Sequence, residues 1–476
     1  VSDFVRSNRY HLTNEDRDVY RRFARLALPR HTSYPTAPTW STDYQTADFM
    51  EDLKGVRRRN DVVSLYVHLP YCRQLCYYCA CTKEIVSDAL RRKADPADDL
   101  LNGMEIEIDH LARSLGELGV EQLHWGGGSP TFLSSPQLVR LFETIANRFP
   151  TTKNAEIAVE IDPRITSAEQ LETLRQLGFN RISLGIQDFD ERVQLAINRR
   201  QPLETVEAAV ETCRRLNFES INFDMIYGLP FQTLESMEKT VAKVVKLAPD
   251  RIAFYRLAMI PEMFRWQNVF KPADLPAGDL PLELNLLAIN QFLAAGYEFI
   301  GLDHFAKPDE PLAVAAGDGT LRRNFQGMTT QKELEIIGIG PSAISQLHSA
   351  IAQNVKTSHE WRIDVESNLP IERGLHLSDD DRIRQEILQQ LYSFGRVDTQ
   401  QVSRQFGISF SDVFSDELSR LRELEELGIV RIGERIELTE PLGRLLVRVP
   451  AAIFDRYLPR RAFMEGLPVG QSSAVG

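Results

Sequence analysis

Between residues 60 and 305 the spacing of apolar positions switches repeatedly between two periods. Short runs rich in β-branched and aromatic residues at 62–69, 122–125, 156–161, 181–186, 220–227, 251–258 and 298–305 read as strands. Between them apolar residues recur every three or four positions, which predicts amphipathic helices over 100–115, 136–148, 167–177, 205–216, 234–247 and 282–295. Strand and helix alternating at this spacing predict an α/β sheet of parallel strands joined by right-handed crossovers, in six or seven units. In such sheets chemistry collects at the carboxyl ends of the strands, so the polar residues that close each strand are the first candidates for a site.

The pattern changes at both flanks. Residues 29–40, PRHTSYPTAPTW, hold three prolines, which excludes a regular helix or a central strand. We read 1–55 as an extended arm laid over the rest and 56–375 as the strand–helix core. Near 376 the sequence shifts again. Ser378 followed by acids marks a helix start, and 376–465 reads as several helices and a small hairpin, with 466–476 as a disordered tail.

Composition narrows the classes. The 476 residues are 43% hydrophobic and 26% charged, as in an ordinary globular protein with room for two or three domains. No uninterrupted apolar run approaches the length of a membrane span, and a net charge of -12 argues against nucleic acid as a partner. Five cysteines are too sparse and too odd a count for a disulfide framework, and no targeting segment opens the chain, so a reducing, cytoplasmic setting is expected.

Four of those cysteines crowd into LYVHLPYCRQLCYYCACTK at 65–83. Cys72, Cys76 and Cys79 form a C-x3-C-x2-C run and Cys81 follows at once. Three thiolates satisfy three irons of a 4Fe–4S cluster and leave the fourth open to a ligand. Structural zinc competes with this reading, although no second cysteine pair or histidine knuckle is present to complete four ligands. Inert thiols would be scattered, as Cys213 is. After the second strand comes GGGSPT at 126–131, where backbone without Cβ atoms can approach a ligand or simply make a tight turn. Glu160, Gln187 and Asp224 close later strands. Each carboxylate alone could be a structural ion pair, but their recurrence at strand ends points to a shared pocket. Arg199 begins an arginine pair suited to a carboxylate or to solvent, and His304 beside Asp303 reads as a structural pair.

C-x3-C-x2-C with Tyr78 before the third cysteine resembles the signature of the radical S-adenosylmethionine (SAM) enzymes. The longer YVHLPYC…CYYCAC, the PR-x-TSYPTA arm and the NFQG and GIGPSAIS segments resemble the oxygen-independent coproporphyrinogen III oxidase family. The resemblance implies an open partial (β/α)6-type barrel with a C-terminal, winged-helix-like cap. It implies a 4Fe–4S cluster on Cys72, Cys76 and Cys79, and SAM contacts at Tyr66, Tyr78, Gly127, Gly128, Ser129, Glu160, Gln187, Arg199, Asp224, Ala258 and Ile344. A second SAM would lie near Gln326 and Ile344, while Cys81, Gln326, Arg30 and His31 fall on the catalytic or substrate side. The implied activity is oxidative decarboxylation of two coproporphyrinogen III propionates by a monomer that takes electrons from a flavodoxin or ferredoxin. His31, Met328 and the segment 256–267 depart from the family pattern. They leave open a related C-methylase or cyclopropanase. A haem carrier fits less well, because the fourth cysteine and the arm are both retained.

Overall fold

The computed structural model describes residues 10–26, 28–330 and 334–458; the tail expected to be disordered lies outside them. Twelve strands form the main sheet: β1 (Val62–Leu69), β2 (Gly119–Gly127), β3 (Thr151–Ile161), β4 (Arg181–Gln187), β5 (Ser220–Tyr227), β6 (Arg251–Arg256), β7 (Glu298–Ile300), β8 (His304–Ala306), β9 (Ile336–Ile339), β10 (Ile344–Gln346), β11 (Ala350–Asn354) and β12 (Ile371–His376). Their spatial order is β12-β11-β10-β9-β1-β2-β3-β4-β5-β6-β8-β7. From β9 through β6 every neighbouring pair is parallel, and both flanks are antiparallel. The sheet therefore keeps two edges, as an open α/β barrel does.

Two expectations are corrected. The run 298–305 is no single parallel strand. It folds at Gly301, whose φ of 56° suits glycine, into the antiparallel hairpin β7–β8. The seventh parallel strand is β9, beside β1. Its four residues lie in a stretch read as loop, too short for a periodic signal.

Alternation sorts the strands into two faces. Val63, Leu65, Val67, Leu123, Val159, Leu184, Phe223 and Phe254 are buried on the helix side, against α1 (Ala97–Leu115), α2 (Ser135–Ala146), α3 (Ala168–Gln176), α4 (Leu203–Arg215), α5 (Leu234–Leu247) and α6 (Leu280–Ala294). The opposite face carries Ser64, Tyr66, Gln122, His124, Glu160, Ser183, Asp224 and Tyr255; Ser64 bonds Gln122, Tyr66 stacks on His124, His124 bonds Glu160 and Ser183 bonds Asp224. An inner face that is polar on nearly every strand is a cavity wall rather than a core.

The arm holds on through backbone groups. Ser41 and Gly374 exchange hydrogen bonds of 2.8 and 2.9 Å, and Arg323 donates to the carbonyls of His31 and Arg30 at 2.7 and 3.2 Å. The arm's end is helical: Thr46–Arg59 runs across the expected boundary at 55. Beyond the sheet, Asp379–Phe394 starts at Ser378, the helix start the sequence predicts, with a capping box to Asp381. Further helices and a three-stranded antiparallel sheet follow. No described helix is long and apolar enough to cross a membrane.

Candidate active site

The cysteine loop leaves β1 at its carboxyl end and is closed at its base by Tyr71–Cys72 pairing with Glu84–Ile85. Cys76 is buried, Cys72 and Cys79 are half-buried, and Cys81 is exposed. The loop is gripped from two sides. On one, Tyr77 N–H donates to the Ile197 carbonyl at 3.0 Å and Asn198 Nδ2 to the Leu75 carbonyl at 2.8 Å. On the other, Trp266 Nε1 donates to the Cys79 carbonyl at 3.0 Å and Gln267 Nε2 to the carbonyls of Tyr78 and Ala258 at 3.3 and 2.9 Å. Lys83 lies 4.0 Å over the Trp266 ring while its ammonium donates to the carbonyls of Cys79 and Cys81. The segment 256–267 is thus a wall of the loop.

Positive groups converge on the sulfur. Arg164 Nη2 lies 3.5 Å and Arg199 Nη1 3.7 Å from Cys76 Sγ, and both arginines meet Asp162, at 2.6 and 3.2 Å. Burial works to raise the Asp162 carboxyl, but Arg199 and Arg164 outweigh it and hold it at about 2. Arg199 Nη2 also donates to the Gly185 carbonyl at 2.6 Å. The Cys81 thiol and Lys83 bring Cys79 down to about 6, whereas burial pushes Cys72 up to about 12.

Next to the loop, Gly126–Gly128 leave no room for side chains. A Cβ on Gly126 would stand 2.8 Å from the Glu160 carboxylate, on Gly127 2.5 Å from the His68 ring, and on Gly128 2.6 Å from the Pro70 carbonyl. Glu160 accepts from His124 Nε2 at 3.0 Å and Gly127 N–H at 3.3 Å. Against the penalty of burial, these contacts hold it below the usual carboxylate range. His68 Nε2 donates to the Thr82 carbonyl at 3.0 Å, so its Nδ1 accepts from the Tyr66 hydroxyl, also at 3.0 Å. Tyr66 stacks on His124 and meets Phe325 edge-on at 5.1 Å. Gln187 closes β4 with φ of 65°. Ser129 is buried, with its N–H on the Tyr71 carbonyl at 3.0 Å. Asp224 accepts from Ser183 and Asn222 at 2.9 and 3.0 Å, and burial together with nearby Glu160 raises it to about 6. Ile344 lies one strand beyond Gly338, the register partner of Tyr66.

The remaining expected residues lie elsewhere. Arg30 pairs with Asp303 and lies 4.7 Å over the Tyr255 ring. His31 is buried with both ring nitrogens engaged, by Tyr392 Oη at 2.8 Å and Asp455 Oδ2 at 3.0 Å, so it fastens the arm to the C-terminal part and has no nitrogen left for substrate. Met328 turns into an apolar cluster with Ile300, Leu312 and Leu321. Gln326 sits at a hairpin tip with its Nε2 buried and without a partner among the described residues. Sequence reasoning passed over His68, His124, Asp162, Arg164 and Trp266, although His68 stands in the cysteine stretch, His124 in a predicted strand and Trp266 in the segment 256–267.

The fold and the site define a radical SAM protein. A sequence model of the Radical SAM superfamily matches residues 66–244. Oxygen-independent coproporphyrinogen III oxidase of Pseudomonas aeruginosa PAO1 is 42% identical over 448 residues, 93% of this chain and 96% of that protein. The Escherichia coli K12 protein of the same name is 40% identical over 439 residues, 92% and 94% of the two chains. The structure of coproporphyrinogen III oxidase (HemN) from Escherichia coli matches with a TM-score of 0.86 at 40% identity, over 90% of this chain and 98% of that one. The chain belongs to the oxygen-independent coproporphyrinogen III oxidase family.

The superfamily implies a 4Fe–4S cluster and SAM, and the residues present fit both. Among the described residues no three His, Cys, Asp or Glu side chains gather about one point as the ligands of a single ion would. Thiolates that each hold a different iron have no such need. A low-lying Cys79 thiol, two guanidiniums on Cys76 and a cradle open only to backbone suit an anionic cluster with an amino-acid ligand beside it.

Proposed function

We propose that this site removes the carboxyl groups of two propionates of coproporphyrinogen III and leaves vinyls, giving protoporphyrinogen IX. The observation that carries the reading is the meeting, on one rim of the sheet, of the three-cysteine loop, the glycine cradle and the carboxylates Glu160 and Asp224. Cys72, Cys76 and Cys79 would hold the cluster, and Gly127, Gly128, Ser129, Glu160, Gln187, Arg199 and Asp224 would hold SAM. Together these groups supply one-electron cleavage of SAM to a hydrogen-abstracting radical. The chain's own part is placement. His68 ties the cysteine loop to β1, Arg164 and Arg199 offset negative charge at Cys76, and the arm and cap keep water from the substrate. At each propionate a β-hydrogen is lost, the bond to the carboxylate breaks, carbon dioxide leaves and one electron passes to an acceptor.

A second SAM beside Gln326 and Ile344 is supported by the unpartnered Gln326 Nε2 and by Phe325 against Tyr66. A flavodoxin- or ferredoxin-type donor fits a cysteine loop that reaches the surface at Cys81, and a monomer in the reducing cytoplasm completes the reading. The family departures give a methylase no support. His31 and Met328 have structural partners, and 256–267 braces the cysteine loop.

The test is anaerobic incubation of the cluster-loaded protein with SAM, dithionite and coproporphyrinogen III. The expected product has lost two carboxyl groups, in step with 5′-deoxyadenosine. SAM cleavage with an unchanged or methylated porphyrinogen would reject the substrate.

A further inference from the structure

In the turn that joins β9 to β10, Gly340 and Ser342 both take left-handed backbone angles, with φ of 97° and 64°. Glycine answers the first for a steric reason, since a Cβ there would stand 2.5 Å from the His68 carbonyl. Serine at the second carries strain, which persists only where the surroundings hold the residue in place. They do so from several sides. Ser342 is buried, its N–H donates to the Val355 carbonyl at 2.8 Å, and Gln353 Nε2 reaches both its carbonyl and its hydroxyl at 3.2 Å. Gln353 Oε1 accepts in turn from Arg373 Nε at 2.9 Å, and Arg373 Nη1 donates to the Ala37 carbonyl of the arm at 3.1 Å. Gly340 N–H is fixed by Glu107 at 2.7 Å and its carbonyl by Asn354 at 2.9 Å. A glycine at 342 would make every backbone bond of this turn without strain. What the serine adds is its hydroxyl.

That hydroxyl donates to Thr82 Oγ1 at 3.0 Å, across to the end of the cysteine loop. The Thr82 carbonyl accepts from His68 Nε2, also at 3.0 Å, and this bond sets the tautomer with which His68 Nδ1 accepts from Tyr66. The His68 ring packs so closely on Gly127 that even a Cβ there would come within 2.5 Å of it. We propose that Ser342 is a positioning residue for SAM: it fixes Thr82, and through the Thr82 carbonyl it holds the His68 ring in register with the glycine cradle. The inference rests on the reading of this rim as a SAM site and asks nothing of the substrate.

Calorimetry of SAM binding to the cluster-loaded protein without reductant tests this, with urea unfolding and iron content measured alongside. Ser342→Gly removes the hydroxyl and suits the backbone, and Thr82→Val removes the acceptor at nearly constant shape. We expect each to weaken SAM binding by about fivefold, and the double variant to lose no more than either single one. The urea midpoint of Ser342→Gly should match or exceed that of wild type, because glycine relieves the strain. Stability and SAM affinity would then move apart, which a serine of structural importance alone cannot produce. Unchanged SAM affinity in either single variant, losses that multiply in the double variant, or weakening that tracks a lower midpoint or lost iron would each overturn the inference. A cluster-loaded wild type that binds no SAM would instead reject the SAM reading itself.

Discussion

The cysteine end of the site and buried Glu107 handle charge in opposite ways. Around Cys76 each guanidinium has an answer from the chain: Arg164 and Arg199 share Asp162, and Arg199 also meets the Gly185 carbonyl. Around Asp303, Arg30 pairs with the carboxylate and Arg323 is answered by backbone, donating to the carbonyls of Arg30 and His31. Where charge is balanced, the protein is organised in advance for a group of fixed geometry. Glu107 is the mirror case. It is buried with only neutral donors, Gly340 N–H at 2.7 Å, Asn354 Nδ2 at 2.6 Å and Trp361 Nε1 at 3.1 Å, and it answers by taking up a proton.

The largest effect belongs to the cysteine end. Cys76→Ser should abolish iron and sulfide loading and reduce turnover to background, whereas Cys81→Ser, on an exposed thiol, should load normally. Iron and sulfide assays on both variants check this, and loss in both would mean the wrong cysteines have been divided.

Glu107 sharpens the contrast through pH. Burial raises its carboxyl to about 7 from an ordinary 4.5. Between those values the folded chain keeps a proton that the unfolded chain sheds. The stability present below 4.5 is therefore lost as pH climbs through about 7. The loss is of order 3 kcal/mol at about 1.4 kcal/mol per pH unit. Urea unfolding across that window should show the decline in wild type, and Glu107→Gln should lack that part of the slope. Parallel slopes in the two proteins would place the titration elsewhere.

A smaller effect is steric. In Gly127→Ala the new Cβ meets the His68 ring at a backbone φ of 104°. Strain of about 1–3 kcal/mol should weaken SAM binding by about tenfold, read by calorimetry on the cluster-loaded protein. Smallest is Trp266→Phe, which removes one hydrogen bond to the Cys79 carbonyl and should cost about 1 kcal/mol, read as faster loss of cluster iron to a chelator.

Legibility in the sequence follows the same division. The cysteine end was readable because its cysteines share one short stretch and its cradle is a contiguous glycine run at a strand end. The strand–helix alternation gave the parallel core for a similar reason, since each element repeats a local period. The group around Asp303 has no such signal. Arg30, Asp303 and Arg323 come from an arm, a hairpin turn and a short strand, and only folding brings them together. His31, read from the motif as substrate-facing, shows the limit of contiguity. Its neighbour Arg30 reaches Asp303, while its own ring turns to Tyr392 and Asp455.

One labelled substrate tests the account in a single observation. Coproporphyrinogen III deuterated at the propionate β-carbons, turned over anaerobically with SAM and reductant, should deliver deuterium into 5′-deoxyadenosine as vinyl product forms. Vinyl product with unlabelled 5′-deoxyadenosine, or labelled 5′-deoxyadenosine without loss of carbon dioxide, would contradict the account.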